Sequence, residues 1–107
     1  MAIFEFEVQK SFLEETEHPI TIPKSQLPYQ HLIAADLNHK HILVILPHGE
    51  RFEAKIYHGE AGYGEYYQIR FNGRERTLPS YLTLEDHLII VLAKTISHSY
   101  AIVEYRE

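Results

Sequence analysis

Five of the chain's ten lysine and arginine residues lie between positions 51 and 76: Arg51, Lys55, Arg70, Arg74 and Arg76. Within residues 70–76 three arginines stand against Glu75 alone, a formal +2. Guanidinium groups make bidentate contacts to phosphates and base edges that lysine cannot reproduce. Tyr63, Tyr66 and Tyr67 occupy the same stretch, and a phenol can stack on a base or donate a hydrogen bond. The chemistry open to this set is anion binding with aromatic support. The same cations could instead pair with Glu50, Glu53, Glu65 and Glu75 as an ordinary solvated sheet surface.

Other chemistries have weaker support. Eight histidines show no metal signature: His39 and His41 could share a strand face, but no third ligand is specified. Asp86 and His87 are adjacent, and neighbours in a strand point to opposite faces, so they make a poor acid–base dyad. No nucleophile motif, glycine-rich phosphate loop or paired-carboxylate spacing is present, so neither enzymatic activity nor a cofactor is expected. The net charge of -5 weighs against a globally basic nucleic-acid binder but not against a local patch.

At 107 residues, 45% of them hydrophobic, the chain is expected to form one domain over residues 1–107. With no cysteine it has neither disulfides nor thiolate metal sites. No apolar run approaches the roughly 20 residues that span a bilayer, and the N-terminal residues carry acids where a signal peptide needs bases. No membrane association is expected, and a cytoplasmic location is.

The elements that must position the cations are mostly strands. Residues 42–58 read as a hairpin: an apolar run over 42–46, a turn at Pro47-His48-Gly49-Glu50, then Phe52, Ala54 and Ile56 alternating with Arg51, Glu53, Lys55 and Tyr57. The run over 42–46 is apolar enough to be buried on both faces. A first strand covers residues 3–8, with Phe4, Phe6 and Val8 opposite Glu5 and Glu7. Residues 9–18 read as a polar connection, and Ile20-Thr21-Ile22 as a short strand stopped by Pro19 and Pro23. Ser25 caps a helix predicted over 26–35. Three glycines over 59–64 predict a loop, residues 65–71 a strand, Asn72-Gly73 a type I′ turn and residues 74–78 its return strand. An apolar strand follows over 87–93, and a last strand over 100–105 closes the chain. The sum is a mainly β protein, a seven- to eight-stranded open antiparallel pseudobarrel with one or two short helices. Leu43, Ile45, Phe52, Ile56, Ile69, Leu88, Ile90, Ile102 and Val103 are expected to share its core.

The order of these features resembles the DNA-binding pseudobarrel, the fold of the plant B-three transcription-factor domain and of the N-terminal effector domain of EcoRII-type restriction endonucleases. The residues that carry the likeness are Ser11 and Leu13, then Ile20-Thr21-Ile22-Pro23-Lys24, Gly49 with Phe52, Tyr66-Tyr67 with Ile69, and residues 84–90. The resemblance implies two DNA-straddling arms, at residues 9–18 and 57–65, and a duplex-DNA partner. It adds Lys10 and Ser11 to Arg51, Lys55, Tyr63, Tyr66, Arg70, Arg74 and Arg76 as DNA-binding candidates. The first arm carries Glu14, Glu15 and Glu17 against Lys10, and the second carries Glu60 and Glu65 with no cation. Glu85 stands where the family has glycine. A protonated His58 beside the cluster is expected to strengthen binding. The alternative function is a protein- or small-ligand-interaction module on the same barrel, whose acidic arms suit a protein partner.

Overall fold

The computed structural model describes residues 2–23, 41–71, 80–95 and 98–106. The helix expected over 26–35, the Asn72-Gly73 turn and the return strand over 74–78 lie outside them. Seven strands are described: β1 (Ala2–Glu7), β2 (Ile20–Ile22), β3 (His41–Ile45), β4 (Arg51–Ala61), β5 (Gly64–Phe71), β6 (His87–Lys94) and β7 (Ser99–Tyr105), with one helix, α1 (Lys10–Glu14). They form one sheet in the order β1-β6-β7-β3-β4-β5-β2. A flat sheet would be only about 10 Å thick. The extents of 35 × 34 × 30 Å show it rolled into a nearly closed barrel, with the core on its concave face.

One pairing departs from an all-antiparallel barrel. β7 runs parallel to β3, Val44 lying opposite Ala101, while every other neighbouring pair of described strands is antiparallel. The hairpin at residues 42–58 forms as its sequence predicts. Gly49, at φ 95°, turns the chain, its N–H donating to the Leu46 carbonyl at 2.9 Å. That conformation favours glycine.

The turn also decides which face of β3 is inside. Val44 lies opposite Phe52 and Ile42 opposite Ala54, and directly opposed residues share a face. Ile42, Val44 and Leu46 are therefore buried, and the expected core residues Leu43 and Ile45 point outward, half-buried. Likewise Ala101 and Val103 face in and Ile102 faces out, 37% exposed. The run over 42–46 is apolar throughout, so alternation could not choose its face, whereas along β7 the polar Glu104 shares the outer face with Ile102 and marks it. Phe52, Ile56, Ile69, Leu88, Ile90 and Val103 are buried as expected.

Two connections differ from their sequence reading. Residues 10–14 form α1 because Phe12, 1% exposed, is driven into the core. Its ring meets Phe6 edge-on at 5.4 Å and Phe71 at 6.3 Å. The glycine-rich segment is no loop: β4 continues through Gly59 to Ala61, and the chain reverses over Gly62 and Tyr63 into Gly64.

Glu85 has φ 72°, the left-handed region at the position where the resemblance puts glycine. Its N–H donates to the Val8 carbonyl at 2.8 Å, and the Val8 N–H donates to the Asp86 carbonyl at 2.9 Å, which pins the turn to β1. An L-residue there costs about 1–2 kcal/mol, against about 0.4–1 kcal/mol gained by restricting the unfolded chain. Glu85→Gly is expected to stabilise the fold by about 0.5 kcal/mol, read as a raised denaturant midpoint; a lowered midpoint contradicts strain at this residue. Ile56 and Ile90 are 0% exposed, and truncating either to alanine is expected to cost about 2–5 kcal/mol by the same measurement. A loss below about 1 kcal/mol contradicts the core assignment.

Candidate nucleic-acid interface

Alternation along β4 and β5 sorts their side chains onto two faces. Ile56, Tyr67, Ile69 and Phe71 go inside. Lys55, Tyr57, Tyr66, Gln68 and Arg70 are left on the outer face. Cross-strand pairing then builds rows. Lys55 lies opposite Arg70 and, on its other side, His41; Tyr57 lies opposite Gln68, which lies opposite Thr21 of β2. Two cations, two hydrogen-bonding side chains and two phenols are thus collected on one surface.

The guanidinium of Arg70 is held in place from several sides. Its Cζ lies 3.6 Å from the centre of the Tyr57 ring, a cation–π contact. Its Nε donates to Gln68 Oε1 at 3.0 Å, and Gln68 Nε2 donates to Thr21 Oγ1 at 3.0 Å. Gln68 is thereby oriented by both of its neighbours. The remaining edge of Arg70 meets a carboxylate: Nη1 is 4.0 Å from Glu17 Oε1.

That carboxylate comes from the first arm, which packs beside this face. The Phe71 N–H donates to the Glu17 carbonyl at 2.7 Å. His18, at φ 45° and buried, places Nδ1 2.6 Å from the Phe12 carbonyl. A carbonyl can only accept, so Nδ1 carries the proton. Glu14, Glu15 and Glu17 line a groove with Thr16, Pro19, Gln68 and Arg70, and a second groove runs past Glu5, Glu7, Ser11, Glu15 and Thr21. The arm between the sheet edges is acidic in space as well as in sequence.

The other candidates are spread. Lys10 is exposed at the start of α1, 3.9 Å from Glu14 Oε1 one turn on. Ser11 lines the second groove. Arg51 is exposed at the start of β4, beyond Glu53 from Lys55. Tyr63, 79% exposed, sits at the hairpin tip and continues a file of rings: it lies 6.2 Å from Tyr66, which lies 6.0 Å from Tyr57. Arg74 and Arg76 lie outside the described residues. His58 is not part of the patch. It stacks at 4.7 Å on Tyr67, on the inner side of β4, with Nε2 3.4 Å from Glu65 Oε1. A proton there compensates Glu65 instead of adding a cation beside Arg70.

Sequence reasoning missed Tyr57, Gln68, Thr21 and Glu17. The period of two over residues 64–71 puts Tyr66, Gln68 and Arg70 on one face, a signal that was available. The contact with Glu17 depends on how the arm folds back, which no local pattern encodes. His87 is likewise not paired with Asp86: its Nε2 is 3.8 Å from Glu7 Oε1, and Asp86 Oδ2 accepts from the Thr83 N–H at 2.8 Å. Among the described residues no group of three histidines and carboxylates could hold a metal ion, and no helix is long and apolar enough to cross a membrane.

No protein-family model and no curated protein matches the chain. Its structure is similar to a chain of an Arabidopsis FUS3–DNA complex, with a TM-score of 0.64 at 16% identity, covering 100% of this chain and 98% of that one. At that identity the likeness is one of fold. It is the pseudobarrel that the resemblance to the plant B-three domain implies.

Two expectations follow from the packing of these rings. A Cβ added at Gly59 would overlap the Tyr66 ring and come within 2.7 Å of Tyr57 Cε1. Gly59→Ala is expected to swing Tyr66 out of the file without unfolding the chain, seen as a changed Tyr66 ring environment by NMR; an unchanged ring contradicts the close approach. Burial, and then the nearby Glu65 carboxylate, push the Tyr67 phenol above its usual 10.0. The folded state therefore keeps this proton to higher pH than the unfolded state. Stability from Tyr67 is complete below about pH 10 and is lost as pH rises beyond it, so Tyr67→Phe is expected to flatten the alkaline fall in melting temperature. An equally steep fall contradicts this role.

Proposed function

We propose that this chain is a non-catalytic duplex-DNA recognition module that docks through the outer face of β4, β5 and β2. The observation that carries the reading is the collection of Lys55, Arg70, Gln68 and Thr21 on one outer surface of a fold shared end to end with a DNA-bound chain. Lys55 and Arg70 supply phosphate contacts, with Arg74, Arg76 and Arg51 as further cations. Gln68 and Thr21 offer donors and acceptors to base edges, and Tyr63 and Tyr66 project along the hairpin. Such a module could serve as the effector domain of a restriction endonuclease whose cutting residues lie elsewhere. A cytoplasmic location would give it access to DNA in a cell without a nucleus.

The acidic arm shapes the expected behaviour. Glu17 competes with phosphate for Arg70, so duplex binding should be weak and strongly salt-dependent. Titration of a labelled random-sequence duplex at low salt tests this. Arg70→Ala and Lys55→Ala should each weaken binding, and each lost phosphate contact should flatten the slope of log affinity against log salt by roughly 0.9. Glu17→Gln should strengthen binding. Absence of binding at low salt, or an unchanged slope in both variants, overturns the reading. The acidic grooves then favour the second reading, a module for a cationic protein or small ligand, and neutralising Glu15 and Glu17 should abolish that interaction instead.

A further inference from the structure

The side-chain amide of Gln68 is held at both ends, and the chemistry of its neighbours fixes which end is which. Arg70 Nε lies 3.0 Å from one terminal atom, and a guanidinium can only donate, so that atom is the oxygen Oε1. The other is Nε2, which donates to Thr21 Oγ1 at 3.0 Å. A flipped amide would set its own N–H groups against the Arg70 N–H. A carboxamide has two lone pairs on oxygen and two N–H groups. One of each is used here, so one acceptor and one donor remain in a fixed order, the acceptor toward Arg70 and the donor toward Thr21.

The surroundings decide what can reach that pair. Past Tyr57 and Tyr67 the described pairing is of β4 with β5 alone, so their hairpin stands out from the sheet as a two-stranded ribbon. Such a ribbon enters the major groove of B-DNA, roughly 12 Å wide, and not the minor groove, roughly 6 Å wide. Gln68 sits at the root of the ribbon, on the outer face it shares with Tyr66 and Arg70. It also lines both grooves beside the arm, together with Glu15. That carboxylate disfavours a base edge made of acceptors alone, and guanine presents N7 and O6. In the major groove only adenine offers an acceptor, N7, beside a donor, the N6 amino group, on one base.

We propose that Gln68 determines base specificity by reading an adenine: Oε1 accepts from the N6 amino group and Nε2 donates to N7. Arg70 and Thr21 are the residues that position it. This inference deepens the duplex-DNA reading above and rests on it. It also gives the acidic arm a part in recognition, because Glu15, which weakens phosphate contacts, selects against guanine at the Gln68 position.

A pool of duplexes with a randomised core, bound to the chain at low salt and then sequenced, tests this. Adenine is expected at one fixed position of the bound duplexes. Gln68→Glu, which carries acceptors at both ends, is expected to change that position to cytosine, whose N4 amino group is a donor alone. Thr21→Val releases one end of the amide and is expected to relax the preference, while Thr21→Ser keeps it. In the selected duplex, 7-deazaadenine at that position replaces the N7 acceptor by C–H. Affinity for the unmodified chain is then expected to fall about fivefold or more, the lower end of a bidentate base contact, and affinity for Gln68→Ala to change by less than about twofold. Bound duplexes with no enriched adenine, an adenine preference that survives Gln68→Glu, or equal losses on 7-deazaadenine in both chains overturn the adenine contact and leave duplex binding standing. No bound duplex at low salt overturns both.

Discussion

The structure depends most on the seating of β3 at the middle of the sheet. Val44, 0% exposed, lies opposite Phe52 on one side and Ala101 on the other. Three strands hang from each flank: β7, β6 and β1 on the parallel side, and β4, β5 and β2 on the antiparallel side. A slip of one residue here would turn every side chain of β3 to the other face and misalign the two halves. The Gly49 turn fixes the antiparallel register, and burial of Ile42, Val44 and Leu46 makes any other register costly.

From that seating the two outer surfaces acquire different characters. The β4–β5–β2 side carries Lys55, Tyr57, Gln68, Arg70 and Thr21, tied together by hydrogen bonds and a cation–π contact. The β1–β6–β7–β3 side carries Ile3, Val91, Ile102 and Ile45 in one row, with Glu5 and Glu104 beside it on the same face. Between the open edges lies the arm, anchored by Phe12 in the core and by the Phe71 N–H on the Glu17 carbonyl. The anchoring is what brings Glu17 to Arg70: the arm is acidic by composition, but it opposes this cation because Phe12 and His18 hold its path.

Much of the fold was legible because strand signals are local. The alternation over 51–57, the proline-bounded Ile20-Thr21-Ile22 and the apolar runs near 88 and 102 all gave strands where strands stand. Three things were not. Facing could not be read where every residue is apolar, as at Leu43 and Ile45, since register there is set by the partner strand; at Ile102 the polar Glu104 two residues on was the signal. The parallel β3–β7 pairing needs the chain's global path. α1 was hidden because its stabilisation comes from burying one ring, Phe12, rather than from helical propensity. For the site, the residue types were legible and their grouping only in part. Tyr66 and Arg70 do share a face, whereas His58, near in sequence, is turned to the opposite side by the same alternation. Glu17 and Thr21, distant in sequence from Arg70, entered through tertiary packing.

The central claim is that nucleic acid meets the outer face of β4, β5 and β2. Amide and side-chain NMR spectra of the isotope-labelled chain, recorded as a short duplex is added at low salt, test it most directly. The account predicts that the resonances of Thr21, Lys55, Tyr57, Gln68 and Arg70 shift in a saturable way while those of Ile3, Val91 and Ile102 stay fixed. Saturable shifts confined to the Ile3–Ile102 face, or a spectrum unmoved by excess duplex, would contradict it.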